Sequence, residues 1–198
     1  MNPGNPVRKS RVYIALLHSP MYNKRMERIT TSVTNLDLHD IARSSRTYDV
    51  DGFIIVHPSE GQRRLVEDIL SYWQEGYGGA YNPDRREAFS VLRLVPTLEE
   101  ALAQLESETG RAVKTVATDA RLYPDSVSYA RLKAMIREDE DTYLILFGTG
   151  WGMVAELMNR CDYILEPLEA GRTYNHLSVR SAAAIILDRL LGESWFER

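Results

Sequence analysis

The chain has 198 residues, 44% of them hydrophobic, and its 28 acidic and 24 basic side chains give a net charge of -4. That length is enough to bury a sizeable core within one domain, and the mild acidity argues against a nucleic-acid coat protein. The apolar runs are too short to cross a bilayer, the N-terminus has no apolar signal segment, and Cys161 is the only cysteine. A soluble, cytoplasmic protein with no membrane contact and no disulfide is expected.

Residues 1–11 are polar, with Pro3, Gly4 and Pro6, and read as a disordered lead-in to a single domain over residues 12–198. The first apolar strand is expected near Val12–Leu17, followed by a helix over Asp37–Tyr48 that turns Ile41 and Ala42 inward. A strand at Gly52–Val56 precedes a helix over Gln62–Trp73, with Leu65, Ile69 and Tyr72 on one face. Glu75–Ser90, with Gly76, Gly78, Gly79, Tyr77 and Tyr81, reads as a long glycine and aromatic loop before a strand at Val91–Val95. Thr97-Leu98-Glu99-Glu100 is a capping box that opens a helix through Leu105. The remaining elements are a strand at Lys114–Ala117, a helix over Ser126–Arg137, strands at Tyr143–Phe147 and Tyr163–Leu165, and helices over Met153–Arg160 and Leu177–Leu191. Alternating helices and continuously apolar strands predict an α/β fold, a three-layer domain around a parallel sheet.

Three loops stand out within the last third. Gly148-Thr149-Gly150-Trp151-Gly152 follows a strand, Ile164-Leu165-Glu166-Pro167-Leu168 ends the next one, and Tyr174-Asn175-His176-Leu177-Ser178 opens the final helix. Loops at strand ends this close in sequence can converge on one small molecule. Glycines let backbone approach a ligand closely. Taken alone, the glycine loop with Glu166 fits a dinucleotide-binding oxidoreductase, although the G-x-G-x-G spacing and Pro167 match that pattern poorly. His18, His39, His57 and His176 show no metal-ligand spacing, so no metal is expected. Basic pairs at Arg43 and Arg46, Arg63 and Arg64, and Arg85 and Arg86 can hold phosphates or be ordinary solvated faces. Tyrosines beside Arg85 and Arg86 suit an RNA-facing loop.

The combination resembles the three signature motifs of SPOUT-class RNA methyltransferases, and more narrowly a small bacterial branch of them. The similarity extends upstream through Thr34–Arg43 and Tyr81–Ala88. It implies a deep trefoil knot at about residues 143–198, S-adenosylmethionine as cofactor with S-adenosylhomocysteine as product, and an RNA substrate methylated at a ribose 2′-hydroxyl or a base nitrogen. By position, the resemblance assigns the cofactor to Phe147, Gly148, Thr149, Gly150 and Gly152 on the first loop, Ile164, Leu165 and Leu168 on the second, and Asn175, Leu177 and Ser178 on the third. It points to Arg43 as the catalytic residue that engages the target RNA nucleotide, and it implies a homodimer. His39, one turn earlier on the same face, joins Arg43 as a catalytic candidate, and Tyr81, Arg85 and Arg86 of the loop above are the further RNA contacts. A salt bridge to Asp37 or Asp40 is the ordinary alternative for Arg43. A non-catalytic protein that keeps the knot as a cofactor or RNA sensor is the other function class the sequence fits.

Overall fold

The structure, a computed structural model, describes residues 8–193. In chain order it contains β1 (Arg11–Leu17), two-residue strands β2 (Met21–Tyr22) and β3 (Arg28–Ile29), α1 (Asn35–Thr47), β4 (Gly52–Val56), α2 (Glu60–Gln74), short helices α3 (Tyr77–Tyr81) and α4 (Pro83–Phe89), and β5 (Leu92–Val95). It continues with α5 (Leu98–Thr109), β6 (Val113–Ala117), α6 (Tyr129–Glu138), β7 (Thr142–Gly148), α7 (Ala155–Met158), β8 (Tyr163–Ile164) and α8 (Val179–Leu191).

Six strands form one parallel sheet in the order β5-β4-β1-β7-β6-β8. The central strands are buried along almost their whole length, which is why they read as unbroken apolar runs. Parallel crossovers are right-handed, so connections that step in opposite directions along the sheet must cover opposite faces. One core joins Val12, Ile14, Leu16, Phe53 and Ile145 to residues of α1, α2, α4, α6 and α8; the other joins Ala15, Leu17, Leu144 and Leu146 to α5 and α7. Among the described residues no helix is long and apolar enough to cross a membrane.

Several local expectations change. The lead-in is anchored from residue 8: Arg8 Nη2 pairs with Asp51 at 2.5 Å, and the Ser10 hydroxyl donates to the Asp139 carbonyl at 2.8 Å. Residues 1–7 lie outside the described ones. In α2 the inward face is Val66, Ile69, Leu70 and Trp73, whereas Leu65 and Tyr72 are exposed. The 75–90 stretch is not a loop but the pair α3 and α4. Gly79 is there because a Cβ would run into the Trp73 carbonyl, so tight packing against α2 explains this glycine. α6 begins only at Tyr129, capped by Ser128, because Val127 is drawn into an extended bridge with Leu165. The Thr97 N-cap forms as read, with Thr97 Oγ1 accepting from Glu100 N at 3.1 Å, while the Glu100 carboxylate lies 3.5 Å from the Thr97 hydroxyl.

The C-terminal third is threaded. Leu165 N donates to Ala117 O at 2.9 Å on one side, while on the other Val127 N donates to Ile164 O at 2.8 Å and Glu166 N to Val127 O at 3.0 Å. Ala117 and Val127 bound the 118–126 connection, so the chain passes between the two ends of that loop. It then continues into α8, which packs against α1 and α6 on the far face. This passage forms a trefoil knot.

Candidate active site

β1 and β7 are neighbours whose onward connections leave to opposite faces, and a crevice opens where such a sheet switches direction. A cavity of about 810 Å³ lies there, at the C-terminal strand ends. Its wall comes from the segment after β1 (Thr31, Ser32, Thr34), the loop after β6 (Thr118–Arg121), the glycine loop after β7, and the threaded segment through α8.

The glycine loop is clamped by the β2–β3 hairpin. Trp151 N donates to Tyr22 O, and Tyr22 N donates to Gly152 O, both at 2.9 Å. Gly150 and Gly152 have φ of 60° and 95°, and a Cβ on Gly150 would sit 2.9 Å from the Tyr22 carbonyl oxygen. Below the loop runs a polar chain. Thr149 Oγ1 donates to Leu17 O at 3.0 Å and lies 2.6 Å from Thr31 Oγ1, which is 3.0 Å from His18 Nδ1. The His18 and His57 rings are 5.2 Å apart. Burial, and then the neighbouring His57, push His18 down to about 4, so the ring is neutral near pH 7.

Of the residues assigned to the cofactor, Phe147, Gly148, Thr149, Gly150, Gly152, Leu168, Asn175, Leu177 and Ser178 line this cavity. Ile164 and Leu165 do not. Leu165 is 1% exposed in the core behind α8, Ile164 packs into the opposite core, and the Leu165 N–H and Ile164 carbonyl are already used by the knot. Asn175 Nδ2 donates to Ala120 O at 2.7 Å, joining the third loop to the β6 loop.

The substrate-side assignments lie elsewhere. Arg43 is exposed, is not among the lining residues, and lies six positions beyond the lining residue Asp37 on α1, about 9 Å along the helix. Asp37 and Asp40 do not pair with it; both lie 3.6 Å from Arg180 of α8. The His39 ring packs edge-on against Trp73 and Phe89, at 5.3 and 4.7 Å, outside the cavity lining. Burial, then Arg85, lower its pKa, so it is a packed neutral ring. Arg85 lies over Trp73 at 4.7 Å, and Tyr81, 77% exposed, stacks with Tyr77 at 6.1 Å; with Arg86 they occupy the α3–α4 surface, not the cavity.

Sequence reasoning missed Thr31, Thr118, Asp119, Arg121 and the lining role of Trp151 and Glu166. The Glu166 carboxylate accepts from Tyr129 N at 2.8 Å, at the start of α6, where a negative charge suits the helix dipole. The only available signal was position at a strand end, which Thr118-Asp119 shares with every loop on that edge.

The lining suits an adenosyl group. Phe147, Leu168, Leu177, Ala182 and Ile186 offer apolar contact, while glycine-loop backbone and Thr, Asn and Ser groups offer edge hydrogen bonds. Residues 11–192 match the SAM-dependent RNA methyltransferase family. An uncharacterised Aquifex aeolicus protein is 45% identical over 92% of this chain and 89% of its own length. An Oleidesulfovibrio alaskensis protein named tRNA (guanine-N(1)-)-methyltransferase is 44% identical over 92% of this chain; the chain spans only 42% of that protein. Among solved structures, the SpoU methyltransferase AviRb of Streptomyces viridochromogenes in complex with AdoMet superposes with a TM-score of 0.57, at 18% identity, over 94% of this chain and 58% of its own. The chain therefore belongs to the S-adenosylmethionine-dependent RNA methyltransferases and has their α/β knotted fold.

Proposed function

We infer that the cavity at the β1–β7 switch point binds S-adenosylmethionine and that the protein methylates an RNA nucleotide at its mouth, on a ribose 2′-hydroxyl or a base nitrogen. The observation that supports this reading is the convergence on one cavity of the segments that follow β1, β6, β7 and β8. The relative named for guanine-N(1) methylation in tRNA is compatible with a base nitrogen of tRNA as the acceptor. An RNA substrate supports a cytoplasmic location. A single domain agrees with one continuous sheet, whose first strand begins at Arg11 and is preceded by the anchored residues Arg8 and Ser10.

When bound, the cofactor supplies an electrophilic methyl group on its sulfonium. The chain's contribution is placement. Glycine-loop backbone and the Thr149 neighbourhood fix one side, and Leu168, Leu177 and Ile186 exclude water so that the nucleophile and the methyl stay in line. Arg43 serves as a nucleotide-holding cation through its guanidinium fork. In its own subunit it stands outside the cavity lining, about 9 Å along α1 from Asp37. A homodimer in which α1 of one subunit faces the partner's cavity resolves this. The half-exposed Ile185 on α8, 37% exposed, is apolar surface available for such an interface. Tyr81, Arg85 and Arg86 then serve as outer RNA contacts.

Calorimetric titration with S-adenosylmethionine, S-adenosylhomocysteine and NAD tests the cavity, and methyl transfer to bulk RNA tests the activity. Binding of the first two is expected. Arg43→Ala should keep cofactor binding and lose transfer by about a hundredfold or more, a scale expected when a positioning group is removed. Binding of NAD alone would overturn the reading; unchanged transfer by Arg43→Ala would overturn the role of Arg43.

A further inference from the structure

Three groups at the cavity mouth take no part in the arrangement above. Trp151 is 59% exposed, yet its backbone is fixed between two left-handed glycines and by the Tyr22 hydrogen bond. A large aromatic kept in water on a rigid loop is a surface prepared for a partner.

Met26, at the tip of the β2–β3 hairpin, lines the same cavity, is 52% exposed and has a φ of 60°. That conformation is strained for a residue with a Cβ, and such strain concentrates at binding sites. It is held there by Asn23. Met26 N donates to Asn23 O at 2.9 Å, and Arg25 N and Glu27 N donate to Asn23 Oδ1 at 2.8 and 3.0 Å. Arg121 is locked by Asp119 through Nε at 3.0 Å and Nη2 at 2.6 Å, with the Asp119 side chain 6% exposed and that of Arg121 47% exposed. One edge of the guanidinium is thus spent on a buried carboxylate that aims the other outward.

We propose that Trp151 and Met26 hold the target nucleobase by stacking at the cavity mouth, with Arg121 holding the phosphate of the same nucleotide. A methyl acceptor must leave the helical stack to reach a cavity of this kind, and an exposed indole replaces the lost stacking with any base. The thioether of Met26 supplies a soft, polarizable opposing contact. The β2–β3 hairpin carries one jaw and is hydrogen-bonded to the loop that carries the other, so both move with the cofactor loop. The assignment rests on the RNA methyltransferase reading and adds the element that receives the base.

Trp151→Ala, Trp151→Phe, Met26→Gly and Arg121→Gln test it, with bulk RNA as probe and S-adenosylhomocysteine present for filter retention. Met26→Gly removes the side chain while easing the backbone, so it should not lower the unfolding midpoint. Trp151→Ala and Met26→Gly should each weaken RNA retention and raise the RNA KM about tenfold, or about 1.4 kcal/mol, and leave the cofactor Kd within about threefold. Phe at 151 should recover most of the loss, since it keeps a π face. Arg121→Gln should reduce the salt slope of RNA binding by about one. Trp151→Ala with wild-type RNA retention and KM overturns the proposal. So does equal loss of cofactor binding, which would make Trp151 a cofactor contact, or wild-type protein that retains no RNA. Failure of the underlying reading would appear separately, as wild-type protein that binds no S-adenosylmethionine.

Discussion

Gly150 concentrates the local demands of the site in one residue. Its left-handed backbone costs about 1–2 kcal/mol for any residue with a Cβ, and the carbonyl of Tyr22 lies where that atom would go. Gly150→Ala should lower the unfolding midpoint modestly and weaken S-adenosylmethionine binding at least tenfold, as read by calorimetry. Cofactor affinity equal to wild type would remove the glycine loop from the site. His18 makes a different demand. Its pKa, about 4 when folded, lies below the ordinary 6.5 of an unfolded histidine, so the unfolded chain binds the proton first. Its contribution is fully present above pH 6.5 and is lost as pH falls from there towards 4, by on the order of 3 kcal/mol. Denaturant midpoints measured from pH 7.5 to 4 should fall in that window, and His18→Gln should flatten the slope. Neither His18 nor Thr31 was readable as a unit from sequence, since Thr149, Thr31 and His18 become neighbours only when the hairpin folds back on the glycine loop.

The elements that sequence reasoning recovered are those whose pattern is local. β1, β4 and β7 are buried on both faces and therefore carry unbroken apolar runs. The Thr97 N-cap announces α5 through its own hydrogen bond. The failures have non-local causes. Leu65 and Tyr72 match helical spacing as well as Val66 and Trp73 do, and only the packing of α3, α4 and β5 against α2 decides which stripe turns inward. β8, two residues long, is tied to β6 beside its ladder by Asp162, whose Oδ2 accepts from both Thr115 N and Thr115 Oγ1 at 2.8 Å. Asp162→Ala should destabilise by about 1–3 kcal/mol through the unsatisfied Thr115 groups. It should also raise hydrogen exchange at Leu165 and Glu166 before the rest of the sheet. Uniform exchange across the sheet would show that β8 does not open separately.

For the whole molecule, the dimer proposed above has a direct consequence. With Arg43 serving the partner's cavity, homodimers of Arg43→Ala and of Gly150→Ala are each impaired, the second at cofactor concentrations below its raised Kd. Mixed and reassembled, they should regain part of the wild-type transfer rate, because each mixed dimer holds one cavity with intact Gly150 facing an intact Arg43. A mixture as inactive as its components would mean that each subunit works alone. The sequence by itself determined the α/β alternation, the six strands of the main sheet and the three loops of the last third, since apolar runs, glycines and caps are properties of neighbours in the chain; the β2–β3 hairpin was not legible in it. Only the tertiary structure decided that the segment after β8 passes between Ala117 and Val127, that Ile164 and Leu165 are spent on that passage, and that Thr31, Asp119, Arg121 and Met26 reach the cavity. Threading and convergence depend on which distant backbone groups are left to pair once the sheet has closed, and one-dimensional periodicity does not carry that information.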